Sequence, residues 1–142
     1  LDQARQRIGR AGYAEQVELV QTGVAELGGE PAQSYQVVMS GLCLSELTPS
    51  ERTYTLEQAY RLLEPGGFLL LADEVVPRGP LRRILVAAIR FPLALLTYLV
   101  TQTTTRALAD LPQQVERAGF VIQCRRFDRL HSFAELVAQR PT

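Results

Sequence analysis

Apolar positions along this chain follow two rhythms. In three places they run without a break: Val37-Val38-Met39 within residues 35–40, Phe68-Leu69-Leu70-Leu71-Ala72, and Phe120-Val121-Ile122. Short continuous runs of this kind mark strands buried on both faces, as in parallel sheets. Elsewhere the apolar residues recur at helical spacing. Leu1, Ala4 and Ile8 predict a helix over residues 2–10, which Gly9 or Gly12 can end. Leu56, Ala59, Tyr60 and Leu63 form a longer stripe. Thr48-Pro49-Ser50-Glu51 in front of it is a capping box with proline at the first helical position, and Pro65-Gly66-Gly67 stops it. That helix spans about sixteen residues, roughly 24 Å. A third helix is predicted over residues 111–118, with Asp110 as N-cap, Pro112 in the first turn and Gly119 as its stop. Val17-Glu18-Leu19-Val20 is a short strand candidate, and residues 132–138 read as a last strand. Strand, helix, glycine turn, strand is a crossover unit. The order of elements predicts an α/β, doubly wound, mostly parallel sheet.

One stretch breaks the rhythm. Residues 81–100 are strongly apolar, but Arg82, Arg83 and Arg90 interrupt them and Pro92 breaks any helix. A membrane span needs about 20 uninterrupted apolar residues, and a mid-span arginine costs roughly 2.5–3.5 kcal/mol. Two shorter helices bent at Pro92, covering something apolar, fit better. The plainer alternative is that the stretch completes the core of a longer protein.

Composition changes the picture in three ways. The chain has 142 residues, enough for one core. Its 15 basic and 15 acidic residues give a formal net charge of +0, so a basic nucleic-acid surface is not expected. All the cations except His131 are arginine; without lysine there is no Schiff base and no P-loop cation. Cys43 and Cys124 lie in apolar stretches and read as reduced, buried thiols of a cytoplasmic protein. No metal-ligand spacing and no signal peptide is visible. The chain opens at Leu1 inside a helical pattern, so a fold entered partway through is expected.

No nucleophile elbow, Walker loop or paired-acid motif is present, so chemistry must rest on a bound cofactor or on positioning. In open parallel sheets, ligands bind beyond the carboxyl ends of the strands. Those ends are Thr22-Gly23-Val24, Ser40-Gly41-Leu42 and Asp73-Glu74. Glu46 and Glu74 are the candidate general bases, since each follows such an end. The plainer readings, a polar residue at a helix start and a solvated turn carboxylate, stand beside them. His131 is read as a surface or hairpin residue. Arg78, Arg82 and Arg83 suit either an anionic substrate or lipid headgroup, or simple solvation.

Taken in order, these segments resemble a known family. Tyr35-Gln36-Val37-Val38-Met39-Ser40-Gly41-Leu42-Cys43-Leu44-Ser45-Glu46-Leu47 is followed by Tyr60-Arg61-Leu62-Leu63-Glu64-Pro65-Gly66-Gly67-Phe68-Leu69-Leu70-Leu71-Ala72-Asp73-Glu74. Together they look like the second half of class I S-adenosylmethionine-dependent methyltransferases. Leu1-Asp2-Gln3-Ala4-Arg5 resembles the helix after the family's second strand, and Glu116-Arg117-Ala118-Gly119-Phe120 the step into its sixth. Cys43 to Glu46 and the apolar insert are also similar to methyltransferases found with corrinoid proteins.

The resemblance implies a Rossmann-like sheet with an antiparallel last strand, truncated at its N-terminal side. The glycine-rich first motif would lie before Leu1. S-adenosyl-L-methionine is the implied cofactor, with Gly23, Val24, Ala25, Ser40, Gly41 and Leu42 beside it. Val24 stands where the family often has an adenine-binding Asp, leaving the Ala25 amide to serve. Gln36 stands where an Asp is usual and is read as structural. Segment 81–100 occupies the substrate-cover slot, so Cys43, Arg90 and Tyr98 are the candidate substrate contacts. The implied reaction is methyl transfer to a small, lipophilic molecule, in which alignment alone supplies roughly 7–11 kcal/mol. The alternative is a non-catalytic module that docks a partner protein or membrane surface through 81–100. A sheet lacking its first strand should also leave Val37 to Met39 as an unpaired apolar edge.

Overall fold

The computed structural model of the chain describes residues 1–77, 88 and 107–142. Among these, helix α1 (Asp2–Arg10) and a 3₁₀ turn (Val24–Gly29) precede strand β1 (Tyr35–Gly41). A second 3₁₀ turn (Leu44–Glu46), helix α2 (Pro49–Leu62) and strand β2 (Leu63–Glu74) follow. Helix α3 (Leu111–Arg117) and strands β3 (Val121–Phe127) and β4 (Phe133–Gln139) complete the order. The strands form one sheet in the order β1-β2-β4-β3. β1 and β2 are parallel, with Val37 opposite Phe68 and Gly41 opposite Ala72. β4 lies antiparallel to both β2 and β3. The sheet is α/β and Rossmann-like, with the antiparallel last strand expected.

Helix α2 starts as its capping box dictates. The Thr48 hydroxyl accepts from the Glu51 N–H at 3.4 Å, and the Glu51 carboxylate accepts from the Thr48 N–H at 2.8 Å. The hydrogen bond from the Thr48 side chain, then that from its backbone, holds the Glu51 carboxyl below its ordinary pKa. A lowered folded pKa contributes stability above the unfolded value, and that stability is lost as pH falls through the folded one. Thr48→Ala should therefore lower the unfolding midpoint by a few degrees at pH 7. Repeating the melt at a pH low enough to protonate Glu51 in both proteins should shrink the gap, because the carboxylate that favours the cap is then gone. An unchanged gap would assign the effect to packing alone.

The core lies on one face of the sheet. Leu69 and Leu71 of β2 and Ala134, Leu136 and Ala138 of β4 pack against Leu56 and Ala59 of α2 and Leu111 and Val115 of α3. Several expectations are corrected here. β1 is not buried on both faces: Val38 leans into the core, whereas Val37 is 46% and Met39 75% exposed. Among the described residues β1 is the edge of the sheet, with β2 as its neighbour, as anticipated above. Residues 17–20 form no strand; Val17 and Val20 are exposed and lie outside the sheet. α2 ends at Leu62, and the Pro65-Gly66-Gly67 turn lies inside β2, because Leu63 is already extended at φ −70°, ψ 142°. Asp110 precedes α3 in a left-handed conformation and makes no side-chain capping bond. α1 forms as expected but buries no residue. No helix among the described residues is long and apolar enough to cross a membrane. Apart from Ala88, segment 81–100 lies outside the described residues, and with it Arg82, Arg83, Arg90, Pro92 and Tyr98; Arg78 does too.

Candidate functional site

The carboxyl ends of β1 and β2 lie side by side and gather most of the candidates. Ser40 pairs with Leu71 and Gly41 with Ala72. The Leu42 N–H then donates to the Ala72 carbonyl at 2.8 Å, carrying the ladder one residue past the strand. Leu42 itself has φ 53°. For a leucine the left-handed region costs roughly 1–2 kcal/mol, so the neighbouring structure must hold it there.

Two side chains fix the turn that follows it. Asp73, 1% exposed at the end of β2, accepts at Oδ2 from the N–H groups of Leu44 (2.8 Å) and Ser45 (3.2 Å). Its Oδ1 accepts from the Glu74 N–H at 2.8 Å. From the other side, Arg52 of α2 donates Nε to the Leu44 carbonyl (3.2 Å) and Nη2 to the Leu47 carbonyl (3.1 Å). The turn after β1 is thus clasped by its amides from β2 and by its carbonyls from α2. Asp73 shares its parity with Leu69 and Leu71, which pack toward the helices, and Glu74 has the opposite parity. Glu46 is exposed on the turn and Glu74 is half-buried. Ser40, Gly41, Leu42, Cys43, Glu46 and Glu74 therefore belong to one strand-end cluster.

Gly23, Val24 and Ala25 form a second group. Gly23 is extended and opens the Val24–Gly29 turn. Helix α2 fastens that turn: Tyr54 Oη donates to the Ala25 carbonyl (3.3 Å), and Arg61 donates to the carbonyls of Leu27 and Glu30 (2.8 Å each). Gly23 and Ala25 are exposed and Val24 is half-buried.

Both cysteines depart from expectation. Cys43 and Cys124 are exposed free thiols, not buried ones. Cys43 follows the strand end, and Cys124 sits on β3 beside the bulge between Ile122 and Cys124. His131 lies in the β3–β4 turn, stacked on Phe127 at 5.2 Å. Asp128 closes that turn. Burial opposes its ionisation, but bonds from the N–H groups of Phe133, Ser132 and Leu130 and from the Ser132 hydroxyl outweigh it and lower its pKa. Gln36 is exposed on β1, and its backbone carbonyl oxygen lies 3.0 Å from where a Cβ on Gly67 would stand. A groove of about 480 Å³ runs between α2 and α3, lined by Pro49, Arg52, Leu56, Asp110, Gln114 and Arg117. It lies on the helix side and shares only Arg52 with the clasp. No group of three or more metal-ligating side chains occurs among the described residues.

Sequence reasoning missed Asp73 and Arg52. The parity of Asp73 with Leu69 and Leu71 was a readable signal: a carboxylate on the apolar side of a strand needs donors. Arg52 carried no such signal.

With this geometry in place, the family is decided by residues 1–71, half of the chain, which match the methyltransferase domain family. The chain belongs to this family. The matched span runs from α1 through β1 and α2 into β2. No curated protein sequence gives a significant match. Among solved structures, an O-methyltransferase family protein from Burkholderia thailandensis superposes with a TM-score of 0.72 at 22% identity, over 99% of this chain and 41% of its own. The S-adenosylmethionine-dependent methyltransferase SibL gives 0.71 at 23% identity, over 99% and 40%. The [4+2]-cyclase SpnF gives 0.71 at 18%, over 98% and 61%. These likenesses show a shared fold. The chain spans less than two thirds of each of these proteins.

Proposed function

We propose that this chain is part of an S-adenosylmethionine-dependent methyltransferase acting on a small, lipophilic molecule. The observation that carries this reading is the strand-end cluster within a methyltransferase-family span: Ser40, Gly41 and the left-handed Leu42 at the end of β1, with Glu46 and Glu74 beside them. Gly41 has nothing within 4 Å of where a Cβ would stand, and the residues from Gly41 to Cys43 are exposed. That backbone suits close approach of a cofactor. The bound sulfonium would supply the activated methyl group. The protein residues align the acceptor, and Glu46 or Glu74 takes its proton where the acceptor carries one. Cys43, Arg90 and Tyr98 are the substrate contacts of this reading, and segment 81–100 is its apolar cover. An enzyme of the corrinoid-associated type is its finest form, and rests on residues 43–46 and 81–100 alone.

One observation favours a second reading. Val24 stands at the position proposed for adenine and brings no carboxylate there. A module that keeps the fold and docks a partner protein or membrane surface through 81–100 would not need one. The likeness to a cyclase illustrates that the fold also hosts other chemistry.

Calorimetric titration of the full-length protein with S-adenosylhomocysteine separates the two. The enzyme reading expects saturable one-to-one binding. No saturation at millimolar ligand would sink it.

A further inference from the structure

Resting on the methyltransferase reading, we infer that Asp73 is a positioning residue whose buried carboxylate sets the turn after β1 in the shape that receives the cofactor. Three backbone N–H groups converge on it, from Leu44, Ser45 and Glu74. Among the described residues no cation pairs with it. An apolar residue continuing the Leu69 and Leu71 row would pack there at less desolvation cost. The carboxylate at this place does what an apolar side chain cannot: it joins two segments at the strand ends. One oxygen holds the turn that carries Glu46, and the other holds the backbone of Glu74. With Arg52 on the carbonyls, Asp73 fixes the turn that follows the left-handed Leu42, so that the exposed residues from Gly41 to Cys43 are presented to a ligand. Its parity places it on the helix side, so it acts through the turn and does not touch the ligand.

Asparagine is not equivalent. Every partner of Asp73 is a donor, so one oxygen replaced by an NH₂ group sets donor against donor. In the full-length protein, Asp73→Asn should weaken S-adenosylhomocysteine binding about tenfold or more, because charge-assisted bonds to the turn are lost. Asp128→Asn loosens the β3–β4 turn, away from the site, and serves as the stability control. It should lower the melting temperature and leave Kd unchanged. If Asp73→Asn melts lower but binds as the parent does, Asp73 is merely structural and the inference fails while the methyltransferase reading stands. If the parent itself does not bind, both fail. Should Asp73→Asn not fold, hydrogen exchange on the parent decides. Ligand must slow exchange at the Leu44 and Ser45 amides about tenfold or more, and unchanged exchange there overturns the inference.

Discussion

Gly67→Ala should lower the melting temperature of the protein by about 10 °C. A Cβ on Gly67 would stand 2.9 Å from the Glu64 carbonyl oxygen, 3.0 Å from that of Gln36 and 3.1 Å from Leu63 Cδ2. Two of these atoms are backbone at the start of the β1–β2 pairing, and Leu63 is fully buried. None can swing aside as an exposed side chain would. The strands must part or β2 must shift, at a cost of roughly 3 kcal/mol. A domain of this size is typically stable by only about 5–15 kcal/mol in total. Gly29→Ala is the matched control, since nothing lies within 4 Å of its added Cβ. Thermal unfolding of both variants checks this. A loss at Gly67 no larger than at Gly29 would mean that the strand start gives way cheaply.

The second large effect is expected at Arg140. Its Nη1 donates to the carbonyls of Tyr60 (2.9 Å) and Leu63 (2.6 Å), with Arg61 at 3.4 Å, where α2 gives way to β2. The guanidinium also lies 4.7 Å from the centre of the Tyr60 ring. That ring meets Phe120 edge-on at 5.2 Å and leaves no room for a Cβ on Gly119. One side chain thus joins the end of β4 to the end of α2 and to the start of β3. Arg140→Ala should cost on the order of 2–3 kcal/mol, as the carbonyls lose a charged donor and the ring its cation. Arg140→Lys should recover only part, because an ammonium does not stack as a planar guanidinium does. Urea unfolding of the three proteins measures both losses. Full recovery with lysine would show that charge alone near the helix end suffices.

The α/β order was readable because α2 announces itself twice, by its capping box and by the apolar stripe behind it. The apolar runs located β1, β2 and β3 for the same reason. What local pattern could not give was exposure. Val37-Val38-Met39 is equally apolar in a central strand and at an edge; only the neighbouring strand decides, and that pairing is not local. The same blindness made Cys43 and Cys124 read as buried. Glycine signals also mislead when a turn is folded into a strand, as at Pro65-Gly66-Gly67. At the site, the small residues at the end of β1 were legible from the rule for open sheets. The clasp was not, because Asp73 and Arg52 reach the turn from opposite sides across gaps of 28 and 8 residues in sequence.

The strand order has a consequence for how the chain is made. β4, not the nearer β3, seals the second edge of β2. Its first residue comes 59 positions after the last residue of β2, by subtracting 74 from 133. At roughly 5–20 residues per second of synthesis, β2 waits some seconds for its partner to leave the ribosome. During that interval the second edge of β2 lacks its β4 partner and Leu69 and Leu71 lack the β4 side chains they pack beside, the kind of surface that holding chaperones capture. Arrested nascent chains ending before residue 133 should therefore be the ones that stay chaperone-bound.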